Sequence, residues 1–218
     1  MKVAVLFSGD AASVYSFHLS RKAGLEVGYL VTAKAPQSSR MYKSIDPDLT
    51  RISVRSLTTP QIEFGADEKD EISPLIEALA PLEIDGLCHG AAASNYRRNR
   101  LAKVCQNLNI QLVSPLWHKD PAEMLANMIE EGFEIMISIL RADCLNDSWL
   151  GRVLDRGSLD DFLQACDKNR ISPLGESGEF ETFVIAGPDM LGRIELNFEK
   201  KWSGNLRKLE ITRSRLVR

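Results

Sequence analysis

The sequence predicts an α/β fold, a doubly wound parallel sheet followed by a smaller C-terminal α+β lobe. Three observations predict it. The chain opens on a short apolar run rich in β-branched residues, Lys2 to Phe7, that empties into Ser8-Gly9-Asp10. From there to about residue 114, strand-like and helix-like segments alternate, and a strand, helix, strand order forces a right-handed crossover onto a parallel sheet. Beyond Pro115 the strand-like segments come with fewer intervening helices, the pattern of an α+β lobe.

The elements follow in order. Ala12 to Ala23 carries apolar Val14, Phe17 and Leu19, with Arg21 and Lys22 in its last turn and Gly24 just beyond, which is a helix and its stop. Glu26 to Ala33 reads as the second strand. Residues 34 to 46 are polar, contain Pro36, Gln37, Ser38 and Ser39, and predict an exposed, mobile loop carrying Met41 and Tyr42, suited to act as a lid. Pro47 to Leu57 predicts a helix and Gln61 to Phe64 a short strand. Glu71 to Ala80 predicts a second helix whose start is limited by Pro74.

Ile84 to His89 predicts a strand running into Gly90-Ala91-Ala92-Ala93, after which Ser94 caps a helix that continues through Leu101, Val104 and Cys105 to Leu108. Gln111 to Ser114 follows as a strand. A helix over Pro121 to Glu131, another over about Ser158 to Asn169, and strands at 133 to 141, 180 to 186, 193 to 199 and 206 to 212 complete the chain. Two domains are expected, a doubly wound domain over 1–118 and an α+β lobe over 119–218.

Bulk properties narrow the function. The 218 residues are 44% hydrophobic and 26% charged, which argues against disordered and fibrous classes. A net charge of -3 argues against whole-surface attraction to nucleic acid or an anionic membrane. Apolar runs are strand-sized and the N-terminus reaches a loop within ten residues, so a cytoplasmic protein is expected, with no signal peptide or membrane span. Cys88, Cys105, Cys144 and Cys166 form no CxxC pair and read as buried free thiols, and His18, His89 and His118 show no ligand spacing. Trp117, Trp149 and Trp202 read as core or interface residues, with the core as the default.

In an open parallel sheet, ligands bind beyond the carboxyl ends of the strands. Three loops obey that rule. In Ser8 to Ser13, small residues let backbone amides approach a phosphate at a helix start. In His89 to Arg100, Tyr96, Arg97, Arg98 and Arg100 occupy the first turns of a helix, where a guanidinium suits phosphate or carboxylate; the bland alternative is a solvated basic face with Ser94 as a cap. In Gly175 to Val184, Glu179 and Glu181 share one face of a strand, where paired carboxylates can orient an amine or hold a magnesium-bridged phosphate; the bland alternative is a turn and an acidic edge strand.

Together the stretches KVAVLFSG (2 to 9), YLVT (29 to 32), EIDGLCHGAAASNYRRNR (83 to 100), PLWHKDP (115 to 121), SWLGRVLD (148 to 155) and GESGEFETFV (175 to 184) resemble the diphthine–ammonia ligase family of the PP-loop ATP pyrophosphatases, in that family's order and nearly end to end. The resemblance implies a Rossmann-like sheet of the PP-loop ATPase type and a ligase that consumes ATP with Mg2+. It implies adenylylation of the carboxylate of diphthine on elongation factor two, and displacement of AMP by ammonia. By the same resemblance Ser8, Gly9, Asp10 and Ser13 stand at the pyrophosphate loop, Thr32 near the adenine, and Gly90 and Ser94 at the nucleotide. Tyr96, Arg97, Glu179 and Glu181 stand at the chemistry, Glu176 and Gly178 at the substrate.

One stretch departs. The family loop reads serine, two glycines, lysine, aspartate, serine, whereas this chain has Ser8, Gly9, Asp10, Ala11, Ala12, Ser13. A lysine and a carboxylate are replaced by alanine, and Asp10 brings a negative charge to the helix start. Two unit charges about 4 Å apart interact by roughly 4 kcal/mol at an effective dielectric of 20. Asp10 is also a good cap whose carboxylate can take the free amides itself. ATP binding is therefore expected to be weakened or lost, and Ser177 is a smaller departure in the third stretch.

Four readings stay open at this point. They are an active ATP-dependent amide ligase, a catalytically impaired nucleotide- or partner-binding paralogue, a ligase for another carboxylate, and nucleic-acid binding through the arginines of 97 to 100 and the C-terminal Arg207, Lys208, Arg213, Arg215 and Arg218. The last lacks an aromatic stacking platform. Oligomeric state is open, with a homodimer among the options.

Overall fold

The computed structural model describes residues 1–36, 38–43, 46–67, 69–141 and 144–218, and the chain divides into two compact units, Met1–His118 and Lys119–Arg218. In the first unit β1 (Lys2–Leu6), α1 (Ala11–Lys22), β2 (Glu26–Lys34), α2 (Pro47–Leu57), β3 (Gln61–Gly65), α3 (Ser73–Leu79), β4 (Gly86–Cys88), α4 (Asn95–Leu108) and β5 (Gln111–Val113) alternate. The five strands form one sheet in the order β3-β2-β1-β4-β5, every pair parallel.

Strand order runs one way from β1 through β2 to β3 and the other way through β4 to β5. The switch point therefore lies between β1 and β4, and the loops leaving both strands open at the same end of the sheet. Val3, Ala4 and Val5 of β1 are fully buried, as a strand covered on both faces requires. Local chemistry sets the helix starts. Asp10 caps α1, Asp46 caps α2 ahead of Pro47, and Ser94 caps α4, each accepting a hydrogen bond from a backbone amide two or three residues on.

The expected exposure of residues 34 to 46 is corrected for part of that loop. Met41 and Tyr42 are 3% and 4% exposed and join Phe64, Leu75, Leu79, Leu101 and Val104 in the core, with the Tyr42 and Phe64 rings edge to face at 5.4 Å. Burying these two side chains is favourable by about 1.5–3 kcal/mol each, enough to draw a polar stretch onto the core. Gln37, Ser44 and Ile45 of that loop lie outside the described residues.

The second unit comprises α5 (Pro121–Glu130), β6 (Glu134–Arg141), a 3-10 turn (Asp147–Trp149), β7 (Val153–Leu154), α6 (Leu159–Asn169), β8 (Phe180–Ala186), β9 (Arg193–Ser203) and β10 (Leu206–Val217). Its sheet is antiparallel, in the order β7-β6-β10-β9, with β8 on the other side of β6. Trp149, Phe162 and Phe180 stack edge to face in its core. β9 and β10 form a hairpin longer than the sequence pattern predicts, running to Ser203 and Val217. Trp202 is 59% exposed, against the core expectation, because it sits at the far end of this hairpin opposite Arg207. Cys88, Cys105 and Cys166 are buried free thiols as expected, while Cys144 is only half-buried. Among the described residues no helix is long and apolar enough to cross a membrane.

Candidate functional site

The site is built from the β1–α1 turn upward. Gly9 (φ 83°) lets the chain reverse between strand and helix. Ser13, buried in the first turn of α1, folds its hydroxyl back so that Oγ accepts the amides of Ser8 at 3.2 Å and Gly9 at 3.1 Å. Asp10 completes the turn: its Oδ1 accepts the amide of Ser13 and the hydroxyl of Ser8, both at 2.9 Å. Three amides of this turn thus already have acceptors within the protein.

The second oxygen of Asp10 meets a cation from another part of the chain. Lys43 Nζ lies 2.7 Å from Asp10 Oδ2, with the two side chains only 14% and 4% exposed. Burial alone would push the Asp10 carboxyl up. The Lys43 ammonium and the donors of Ser13 outweigh it and hold the group well below the usual carboxylate range. Asp10 is therefore an anion at neutral pH.

Beside this pair a cavity of about 290 Å3 opens at the carboxyl ends of β1, β2 and β3, lined by residues that include Ser8, Thr32, Ala33, Lys43, Thr50 and Glu63. Thr32 stands opposite Glu63 in the β2–β3 pairing and its Oγ1 accepts Gln61 Nε2 at 3.2 Å. Glu63 is ion-paired with Lys34 at 2.7 Å. Glu63, which lines the cavity, and Asp10, which holds the lining Lys43, are thus both paired with lysines. Among the described residues no group of three or more His, Cys, Asp or Glu side chains is arranged to hold a metal ion. The residues present do not form a standing magnesium site.

The loop after β4 meets α1 closely. Ser16 Oγ donates to the carbonyl of His89 at 3.4 Å and Ser20 Oγ lies 3.2 Å from Cys88 Sγ, so α1 packs on this strand through small polar side chains. His89 is buried and fixed at both nitrogens. Nδ1 accepts the Ala91 amide at 3.1 Å, which leaves Nε2 to donate to Ser114 Oγ at 2.8 Å. Burial, with Arg98 and Arg97 adding to it, pushes the imidazole down to about 4, so His89 is neutral.

Further along, Ser94 Oγ accepts the Arg97 amide at 3.3 Å. Tyr96 has two cations against its ring, the guanidinium carbons of Arg40 and Arg100 at 5.1 and 5.0 Å from its centre, and its hydroxyl donates to Glu71 Oε2 at 3.2 Å. Arg97 Nε donates to the carbonyl of Arg40 at 3.1 Å, and Arg98 lies over Trp117 at 4.8 Å. Glu71 is the hub: buried, it also accepts Ser39 Oγ at 2.6 Å and lies 3.6 Å from Arg100. The basic face expected of α4 is therefore partly engaged within the first unit.

In the second unit, Gly178 lies against the Arg141 side chain, and the Arg141 amide donates to the Glu179 carbonyl at 2.9 Å. Glu179 precedes β8, and Glu181 is in it opposite Ile139. Glu179 Oε2 is buried without a hydrogen-bond partner among the described residues. Glu176 is half-buried in the turn before the strand.

The structure gathers Ser8, Gly9, Asp10, Ser13 and Thr32 around one end of the first sheet, with Gly90 against α1; Ser94 caps α4, and in its first turn Tyr96 meets Arg40 and Glu71 while Arg97 meets Arg40. Glu176, Gly178, Glu179 and Glu181 lie together in the second unit. Sequence reasoning missed Lys43 and Glu71. Nothing adjacent to Lys43 marks it, and Glu71 shows only as the acid before the apolar Ile72 and Leu75.

The diphthamide synthase N-terminal domain matches residues 1–112, and the diphthamide synthase C-terminal domain matches residues 120–217. The chain is 30% identical over 216 residues to diphthine–ammonia ligase of Homo sapiens, covering 86% of this chain and 80% of that protein. It is 27% identical over 215 residues to the Bos taurus protein of the same name, with the same coverage. Against that of Schizosaccharomyces pombe it is 27% identical over 219 residues, 90% of this chain and 36% of the relative.

Proposed function

The chain belongs to the diphthamide synthase family, and from that premise we propose that it uses ATP and ammonium to convert the carboxylate of diphthine on elongation factor two to the amide, in the cytoplasm. The observation that carries this reading is the cavity at the carboxyl ends of β1 to β3, lined by Ser8, Thr32 and Lys43, at the end of a parallel sheet where ligands bind. A base and ribose there put the phosphates toward the β1–α1 turn.

A carboxylate is a poor acyl donor. Its oxygen attacks the α-phosphorus of ATP and pyrophosphate leaves. Ammonia then adds to the acyl carbon, the carbon–oxygen bond to AMP breaks, and nitrogen sheds its extra proton. For this chemistry the protein supplies position and charge. We assign Gly90 and Ser94 to the nucleotide, Tyr96 and Arg97 to the developing phosphate charge, Glu176 and Gly178 to the acceptor, and Glu179 and Glu181 to the ammonium. A magnesium ion would enter with the triphosphate, held chiefly by phosphate oxygens.

The test is incubation with ATP, magnesium, ammonium and elongation factor two carrying diphthine. AMP and pyrophosphate released in step with amide formation support the reading; no amide at saturating ATP overturns it.

A second reading, nucleotide or partner binding without turnover, is favoured by one observation: Asp10 occupies the helix start with its own carboxylate. It predicts that ATP binds without AMP release, and that Asp10→Gly, Ala11→Lys and Ala12→Asp together raise AMP formation.

A further inference from the structure

We propose that Lys43 is the cation this chain sets against the phosphates of its nucleotide, and that Asp10 is a built-in competitor for it, so that phosphate binds by exchanging an internal ion pair for an external one. The inference rests on the reading of the cavity as a nucleotide site and adds to it the residue that recognises phosphate and the residue that limits the affinity.

The β1–α1 turn, Ser8 to Ser13, holds no basic side chain. Its amides offer less than a bare turn would, because Ser8 and Gly9 donate to Ser13 Oγ and Ser13 donates to Asp10. Attraction for a polyanion must then come from a side chain. Lys43 lines the cavity together with Ser8 and Thr32, and its ammonium already sits at the start of α1.

Lys43 is held there by the segment that carries it. Met41 and Tyr42 are buried in the core, their amides donate to Ser39 Oγ at 3.3 and 3.0 Å, and Ser39 in turn donates to buried Glu71. Arg97 clasps the carbonyl of Arg40. The anchoring stops at the backbone. A lysine ammonium rides on a flexible four-carbon stem and can swing off one oxygen onto another without moving the main chain.

Asp10 decides how much of that charge a ligand meets. Paired at 2.7 Å and nearly excluded from solvent, the two side chains sum to no net charge at the turn. A phosphate has to displace a carboxylate that shares its sign. Replacing Asp10 by Asn keeps an acceptor able to cap α1 and removes the competing charge.

The experiment is titration calorimetry of the full chain with magnesium-ATP and with adenosine, for the wild type, Asp10→Asn, Lys43→Arg and the double variant Asp10→Asn/Lys43→Met. The double variant leaves no buried charge without its partner, so it remains folded where Lys43→Met alone risks unfolding. Asp10→Asn is expected to bind ATP about ten- to hundredfold tighter, the size of one charged hydrogen bond released to the ligand. The double variant is expected to lose that gain, Lys43→Arg to bind ATP as the wild type does, and adenosine to bind all four alike. Equal ATP affinity for Asp10→Asn and the double variant overturns the proposal while leaving the nucleotide site intact. If neither ATP nor adenosine binds any form, the nucleotide reading falls and takes the proposal with it.

Discussion

Gly90 approaches the backbone of Ala12 so closely that a β-carbon on it would stand 2.8 Å from both the carbonyl carbon and the carbonyl oxygen of Ala12. This contact brings the loop after β4 onto the first turn of α1 and so joins the two loops of the switch point. Gly90→Ala meets main chain rather than a flexible side chain, so α1 or the loop must move. A loss of about 1–3 kcal/mol in denaturant unfolding is expected, as for other overpacked sites, together with weaker ATP binding.

The Asp10–Lys43 pair makes a prediction about stability that is separate from ligand affinity. Lys43→Met leaves Asp10 buried and alone, at a cost of about 3 kcal/mol, whereas Asp10→Asn/Lys43→Met is expected to lie within about 1 kcal/mol of the wild type. A double-mutant cycle in urea measures both. A single variant as stable as the double would show that the pair is not coupled.

His89 gives a pH dependence of definite sign. Its folded value of about 4 lies below the unfolded value of 6.5, so between these the unfolded chain binds the extra proton. Stability is full above pH 6.5 and falls as pH drops toward 4, by up to about 3 kcal/mol. His89→Gln is expected to flatten that slope in unfolding curves taken at pH 7 and pH 5.

Glu71 ties Ser39, Tyr96 and Arg100 to one carboxylate. Glu71→Ala leaves these donors without their acceptor and is expected to cost about 2–3 kcal/mol. The segment bearing Met41 loses its anchor as well, so trypsin should cut after Arg40 faster than in the wild type.

What the sequence discloses and what it hides divide along physical lines. The apolar run of β1, the Ser94 cap and the Pro47 start of α2 are local signals, set by residues within a few positions of each other, and they were legible. The turn Ser8 to Ser13 was legible too, including the capping role of Asp10. Lys43 was not, because its meaning depends on an ion pair 33 positions away, and its neighbours suggest only a polar loop. Met41 and Tyr42 misled for the same reason: what buries them is Phe64, Leu75 and Leu101, supplied by later elements. Trp202 was misplaced because an indole in a strand usually faces a core, and this strand outruns its own.

That outrunning hairpin bears on how the second unit acquires its structure. β9 and β10 are joined by a two-residue turn at Gly204 and Asn205, and every rung of the ladder pairs residues close in the chain. Such a ribbon closes in about 1–10 μs. By contrast β1 must find β4 across some eighty intervening residues, and loop closure of that length is slow. Pulse-labelled amide protons should therefore be protected in the ribbon before any are protected between β1 and β4, so that the C-terminal hairpin is in place while the first sheet is still assembling.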